Sequence, residues 1–242
     1  MAGVLADSRQ DLLFTSDRAA AQVSVYRCSD EKLLARVRTG AHPNGLAFDP
    51  ARGRLFAFNL GQPTGQNCTA SVIDLDRPRV VSTIALPGRP RWAAYDIASD
   101  RIFANIQQPA QILVIDPDRG QVERAISVPA EGPHGLQIDG ERLFCAADSG
   151  AVAVIDRDTG ALLATVPLPG APDVVIHDPS LAHLYVTVGQ PGVLCVIDSQ
   201  RFELLETVPT GNGAHTIAVD TGTHTVYAFL PDSPGAAVYA DR

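Results

Sequence analysis

Helical periodicity is what this sequence most lacks. Nowhere do apolar residues recur at a 3.6-residue spacing for as many as ten residues, which predicts almost no helix. Long apolar runs are missing as well, and none approaches the roughly 18 residues that a membrane-spanning helix needs. The segment from Met1 to Ser8 has neither a basic stretch nor an apolar one of signal-peptide type, so a cytoplasmic location with no membrane partner is expected. Cys28, Cys68, Cys145 and Cys195 show no CxxC spacing and no pairing pattern, which fits reduced thiols. Cys145 and Cys195 sit inside apolar runs, where a free thiol behaves as a small hydrophobe. Positive charge is in deficit: Lys and Arg number 19 against 27 Asp and Glu, a formal net charge of -8, which weighs against nucleic acid as the main partner. There is no Gly-x-Ser-x-Gly elbow, no HxH or HExxH pair and no phosphate-binding loop.

What is present is a repeat. A branched-aliphatic pair, often followed by Asp, recurs as Val25-Tyr26, Val72-Ile73-Asp74, Val114-Ile115-Asp116, Val154-Ile155-Asp156, Val196-Ile197-Asp198 and Val238-Tyr239. Successive Val positions differ by 47, 42, 40, 42 and 42, the period of propeller blades. Upstream of each lies a second phrase, Leu13-Phe14, Leu55-Phe56, Ile102-Phe103, Leu143-Phe144, Leu184-Tyr185 or Val226-Tyr227. A third alternating run follows, and a fourth, such as Pro43 to Asp49, opens the next unit. Each unit thus holds four short runs rich in Val, Ile, Leu, Phe and Tyr, separated by Asp-, Gly- and Pro-rich turns. With 20 Gly and 18 Pro the chain has turns enough for such a design. The expectation is an all-β, six-bladed β-propeller of four-stranded antiparallel blades in a single domain over 1–242. Blades are placed at about 1–40, 41–88, 89–132, 133–170, 171–213 and 214–242, with the last lacking its outer strand. That open edge predicts an exposed last blade, a homodimer that covers it, or a longer natural chain.

With Leu184-Tyr185-Val186-Thr187-Val188 and Val154-Ile155-Asp156 near its consensus, the chain resembles the YVTN-repeat, YncE-type propellers over all six units. The resemblance implies the fold and selects no single activity, because relatives of this type include surface-layer modules, nucleic-acid binders, lactonases and subunits of redox enzymes.

Aligning the units on their turn Asp places one residue per blade at the entrance of the central channel: Ala2, Asn44, Arg91, His134, Asp173 and His215. Second-strand ends and the loops beyond them add Asp17, Asn59, Asn105 and Asp148. A mixed polar set of this kind suits a small-molecule site, with Asn44, Arg91, Trp92, Asn59, Asn105 and Asp148 as binding candidates. The alternative is a wet channel mouth whose polar residues have no ligand. Asn44, His134, Asp173 and His215 form a candidate ligand set for a divalent metal cofactor. His134 and Asp173 are the candidate acid–base residues. Arg91 and Trp92 offer a guanidinium clamp and a stacking ring, or else a channel plug. The longer loop from Leu60 to Thr69 is a lid or a tolerated surface loop. Asp74, Asp116, Asp156 and Asp198 recur in register and are assigned to turns. His177, His183 and His224 fall on the opposite face with no partner evident from the sequence.

Pro43-Asn44-Gly45 also resembles a segment of the SMP-30 and gluconolactonase group, six-bladed metal-dependent lactonases, as does Glu131-Gly132-Pro133. This likeness implies Asn44 as a metal ligand and lactone hydrolysis or lyase chemistry. It departs from that group in setting His134, not Glu131, in register with Asn44. The competing expectation is a non-catalytic propeller whose rim binds a protein or a second copy.

Overall fold

The computed structural model describes residues 3–232 and 235–241, so Ala2 lies outside the described residues. Two compact units divide the chain, Met1–Ile126 and Ser127–Arg242. In the first, blade 1 comprises β1 (Val4–Asp7), β2 (Leu12–Asp17), β3 (Gln22–Arg27) and β4 (Leu33–Arg38). Blade 2 comprises β5 (Pro43–Asp49), β6 (Arg54–Asn59), β7 (Thr69–Asp74) and β8 (Arg79–Ala85). Blade 3 comprises β9 (Pro90–Asp96), β10 (Arg101–Ile106), β11 (Gln111–Asp116) and β12 (Gln121–Ser127).

The second unit opens with blade 4, β13 (Pro133–Asp139), β14 (Arg142–Ala147), β15 (Ala151–Asp156) and β16 (Leu162–Pro167). Blade 5 follows with β17 (Pro172–Asp178), β18 (His183–Val188), β19 (Val193–Asp198) and β20 (Glu203–Pro209). Blade 6 has β21 (Thr216–Asp220), β22 (Thr225–Leu230) and β23 (Gly235–Ala240). Every sheet is an antiparallel meander; five have four strands and the sixth has three among the described residues. No helix occurs among them.

The strands form where β-branched and aromatic residues alternate, and they end where an Asp captures the chain. Asp74 Oδ1 accepts from the backbone N–H of Asp76, and Asp116, Asp156 and Asp198 repeat the pattern with Asp118, Asp158 and Gln200. These are Asx turns, as the register of the four residues predicts. Asp17 makes the same turn through Ala19 and Ala20.

Blades stack face to face within each unit. Phe14, Val25 and Val37 of blade 1 pack on Leu46, Phe48 and Leu55 of blade 2. The opposite face of blade 2, with Phe56 and Phe58, packs on Ile102, Ala104 and Leu113 of blade 3. In the second unit Phe144, Val154 and Val166 pack on Leu184, Val186 and Cys195. Burying each such side chain contributes about 1.5–3 kcal/mol, and this apolar stacking is what holds the sheets together.

Innermost strands approach more closely than side chains would allow. A Cβ on Gly45 would lie 2.2 Å from the Arg91 carbonyl oxygen, and one on Gly135 would lie 2.4 Å from that of Asp173. The glycine therefore sets the next blade's inner strand, and with it the side chain one residue earlier, at the mouth of the unit.

Candidate functional site

Residues aligned by the repeat do stand at equivalent places, at the start of each inner strand: Asn44 in β5, Arg91 in β9, His134 in β13 and Asp173 in β17, with His215 just before β21.

In the first unit the mouth is a set of guanidinium–amide pairs. Asn44 is buried; its Oδ1 accepts a hydrogen bond from Arg18 Nη2, and its carbonyl accepts from Ser16 Oγ at 2.9 Å. Arg91 Nη2 donates to Gln107 Oε1 at 3.0 Å, and Trp92 beside it is half-buried. Asn59 and Asn105 are closed off from solvent. Asn59 Nδ2 donates to Thr69 Oγ1 and Ser71 Oγ, both at 3.0 Å, so it ties the ends of the 60–68 loop to the sheet. That loop is fastened further by Cys68, whose thiol donates to the Leu60 carbonyl at 3.2 Å. His42 donates Nδ1–H to the Gly61 carbonyl at 2.9 Å. Arg18, which follows the Asx-turn residue Asp17, has no sequence signal of its own.

In the second unit three of the expected residues come together. His134 Nδ1 lies 2.8 Å from Asp148 Oδ1, and its Nε2 lies 2.9 Å from Asp173 Oδ1. The imidazole is 18% exposed and the two carboxylates 34% and 27%, so the trio is open to solvent from one side. Each part has a local cause. Asp148 follows β14, and its backbone N–H donates to the Gly132 carbonyl at 2.8 Å, which holds the β14–β15 turn against the residues leading into β13. Asp173 is fixed by the close approach of β17 to Gly135.

Two hydrogen bonds between an imidazole and two carboxylates need two protons, and a neutral ring carries only one. His215 is exposed and donates Nδ1–H to the Gly213 carbonyl at 2.5 Å, so in its neutral form Nε2 carries the lone pair.

For a metal the same hydrogen bonds matter. Both ring nitrogens of His134 are engaged by carboxylates, and Asn44 Oδ1 is engaged by a guanidinium. Among the described residues no group of three or more His, Cys, Asp or Glu is arranged to hold a metal ion. In this arrangement the candidate donor set does not fit a metal ion.

The opposite face supplies partners that the sequence did not reveal. His224 Nδ1 is 2.7 Å from Asp178 Oδ2, His183 Nδ1 is 2.7 Å from Asp241 Oδ2, and His177 Nε2 is 3.0 Å from Ser199 Oγ. In the first unit Arg52 does comparable work, bonding Asp49 at 2.9 Å and Asp100 at 2.6 Å. The hydrogen bond from Arg52, with that from Tyr95, outweighs burial and brings the Asp100 carboxyl down to about 2.

A stack of four-stranded antiparallel meanders with innermost strands side by side is the β-propeller fold. Among solved structures, the hydrazine synthase of Kuenenia stuttgartiensis matches with a TM-score of 0.66 and 17% identity, covering 96% of this chain and 92% of that one. No protein-family profile matches the chain. Among curated proteins, the uncharacterised protein YncE of Salmonella typhi is 24% identical over 194 residues, 76% of this chain and 53% of the relative. The chain thus spans about half the length of that relative. Together the repeat, the six blades and these matches show a β-propeller that is similar to YncE.

Proposed function

We propose that the protein binds a small polar carbonyl compound at the mouth of blades 4 and 5 and moves protons on it, with a lactone as the substrate class. The observation that carries this reading is the placing of His134 between two carboxylates, Asp148 at 2.8 Å from Nδ1 and Asp173 at 2.9 Å from Nε2. Asp148 orients the ring through Nδ1, as the third member of a catalytic triad does. The proton on Nε2 faces Asp173, and a ligand oxygen that displaces this carboxylate receives a charge-assisted hydrogen bond in its place.

The chemistry balances without a metal. Asp173 takes a proton from water as its oxygen bonds to the ester carbonyl carbon. The C–O bond of the ring breaks, and the leaving alkoxide takes the Nε2 proton of His134. Asp173 then returns its proton to His134, and a hydroxy acid leaves. General acid and base terms of this kind contribute about 10²–10⁴-fold each.

The test is hydrolysis of γ-butyrolactone and gluconolactone by the full chain, before and after chelation, with metal analysis of the same sample. His134→Gln and Asp173→Asn are expected to lower turnover at least about 10²-fold. Asp148→Asn is expected to shift the pH profile and leave binding unchanged. No turnover by the wild type above buffer, or turnover untouched by the first two substitutions, overturns the reading.

A further inference from the structure

In the first unit, the Arg89 guanidinium stands just before β9. Among the described residues its Nε is shut off from solvent with no acceptor, and its Nη groups make no ion pair. A buried donor without an acceptor is destabilising, and an unpaired guanidinium held in this way is prepared for an anion.

The backbone fixes its place. The Arg89 carbonyl accepts from the Gln107 N–H at 2.8 Å, and the Leu86 N–H donates to the Cys68 carbonyl at 3.0 Å. A Cβ on Gly88 would lie 1.9 Å from the Gln108 carbonyl oxygen. Arg89 is thus wedged between the 60–68 loop of blade 2 and the 107–110 turn of blade 3. Its charge reaches the loop: burial pushes the Cys68 thiol up, and the guanidinium pulls it part of the way back.

Both flanking segments lack acid. In a chain with 27 Asp and Glu, residues 60–68 (Leu-Gly-Gln-Pro-Thr-Gly-Gln-Asn-Cys) and 107–110 (Gln-Gln-Pro-Ala) contain none. They hold amides instead: Gln62, Gln66, Asn67 and Gln108 are exposed, and each side chain carries N–H donors. Two residues on, Arg91 adds a second guanidinium, whose Nη2 donates to Gln107 Oε1 at 3.0 Å. His42, which precedes Pro43 as Arg89 precedes Pro90, gives its Nδ1–H to the Gly61 carbonyl of its own blade. Arg89 has no such bond to the 107–110 turn.

We propose that Arg89 receives the carboxylate of a small, singly charged ligand between the 60–68 loop and the 107–110 turn. The two carboxylate oxygens accept end-on from Nη1 and Nη2, and side-chain amides of the two segments supply further donors. A planar pair of oxygens matches the guanidinium fork. The net charge of -8 opposes the approach of multiply charged anions, which favours a monocarboxylate over phosphate or a nucleic-acid backbone.

Titration of the full chain with acetate and with benzoate, at constant ionic strength, tests the site. The Arg89 Nε–H resonance in heteronuclear NMR spectra reads the contact itself, and Trp92, the only Trp in the chain, is a nearby fluorescence reporter. Both signals are expected to shift saturably with either carboxylate and not with chloride, and inorganic phosphate is expected to bind more weakly. Arg89→Gln is expected to abolish the saturable Trp92 response. Arg89→Lys keeps the charge without the fork and is expected to raise Kd at least about tenfold, with an unchanged circular dichroism spectrum. Arg77→Gln removes an exposed charge elsewhere in blade 2 and is expected to leave binding intact. The proposal is overturned by the absence of a saturable shift, by an equal response to chloride, or by acetate binding retained in Arg89→Gln or unweakened in Arg89→Lys. Tighter binding of phosphate or of a single-stranded oligonucleotide overturns it as well. The titration reads the surroundings of Arg89 alone, so it stands or falls separately from the lactone assay.

Discussion

His177 sits buried between blades 4 and 5, with Asp139 Oδ1 3.7 Å from Nδ1 and Ser199 Oγ 3.0 Å from Nε2. Burial pushes its pKa below the ordinary histidine value; Asp139 and Asp178 pull it back and Arg142 pushes further down. A base that is harder to protonate when folded leaves the unfolded chain to take up the proton first as pH falls. Stability from this residue is therefore full above about pH 6.5 and falls below it. Urea denaturation followed between neutral and mildly acidic pH should show the midpoint falling, and His177→Gln should flatten that fall. An unchanged slope in the variant assigns the pH dependence elsewhere. The first unit braces its corresponding face with the Arg52–Asp100 pair. With the Asp100 carboxyl at about 2, the stability it contributes is lost only as pH falls from ordinary carboxylate values toward that figure. Arg52→Gln should accordingly leave the mildly acidic pH response intact.

Among the elements, the innermost strands carry the sharpest steric demand. Gly45→Ala and Gly135→Ala each drive a methyl group into a carbonyl oxygen of the next strand, at 2.2 and 2.4 Å. Each should destabilise by about 1–3 kcal/mol, the usual range for overpacking. Gly53→Ala, at φ +58° with nothing within 4 Å of the new Cβ, meets only backbone strain and should lose about 1 kcal/mol. Urea midpoints of the three variants measure the difference; equal losses would remove the close-approach argument. The strands and their turns were legible because their causes are local: period-two alternation and an Asp that caps its own turn two residues on. Asp173 and His134 were legible as well, because the repeat aligns them. Their hydrogen bond, and that of His134 to Asp148, depends on how strands meet. The staples on the other face were not legible, since His224 and Asp178 lie 46 residues apart and His183 and Asp241 lie 58 apart. Asn59 reads in sequence as a binding candidate at a second-strand end; its buried hydrogen bonds, which brace the 60–68 loop, depend on the meeting of β6 and β7.

Over the whole chain, stability accumulates sheet by sheet, because each blade buries its faces only against its neighbours. The burial is uneven. In β18 five consecutive residues, Leu184 to Val188, are buried, whereas in β22 Val226 and Ala228 are buried and Tyr227 and Phe229 are exposed. β22 thus buries fewer of its side chains than β18, and local unfolding of blade 6 exposes less apolar surface than that of blade 5. Segments with few buried apolar contacts open first. Hydrogen exchange should therefore show the amides of β21–β23 exchanging as one early group, well before those of β17–β19. Substitution should follow the same gradient. Phe144→Ala removes a fully buried ring and should destabilise by about 3–5 kcal/mol. Phe229→Ala removes a ring that is 48% exposed and should stay within about 0.5–1 kcal/mol. Exchange that is equally slow in β22 and β18, with a large loss in Phe229→Ala, would overturn this gradient.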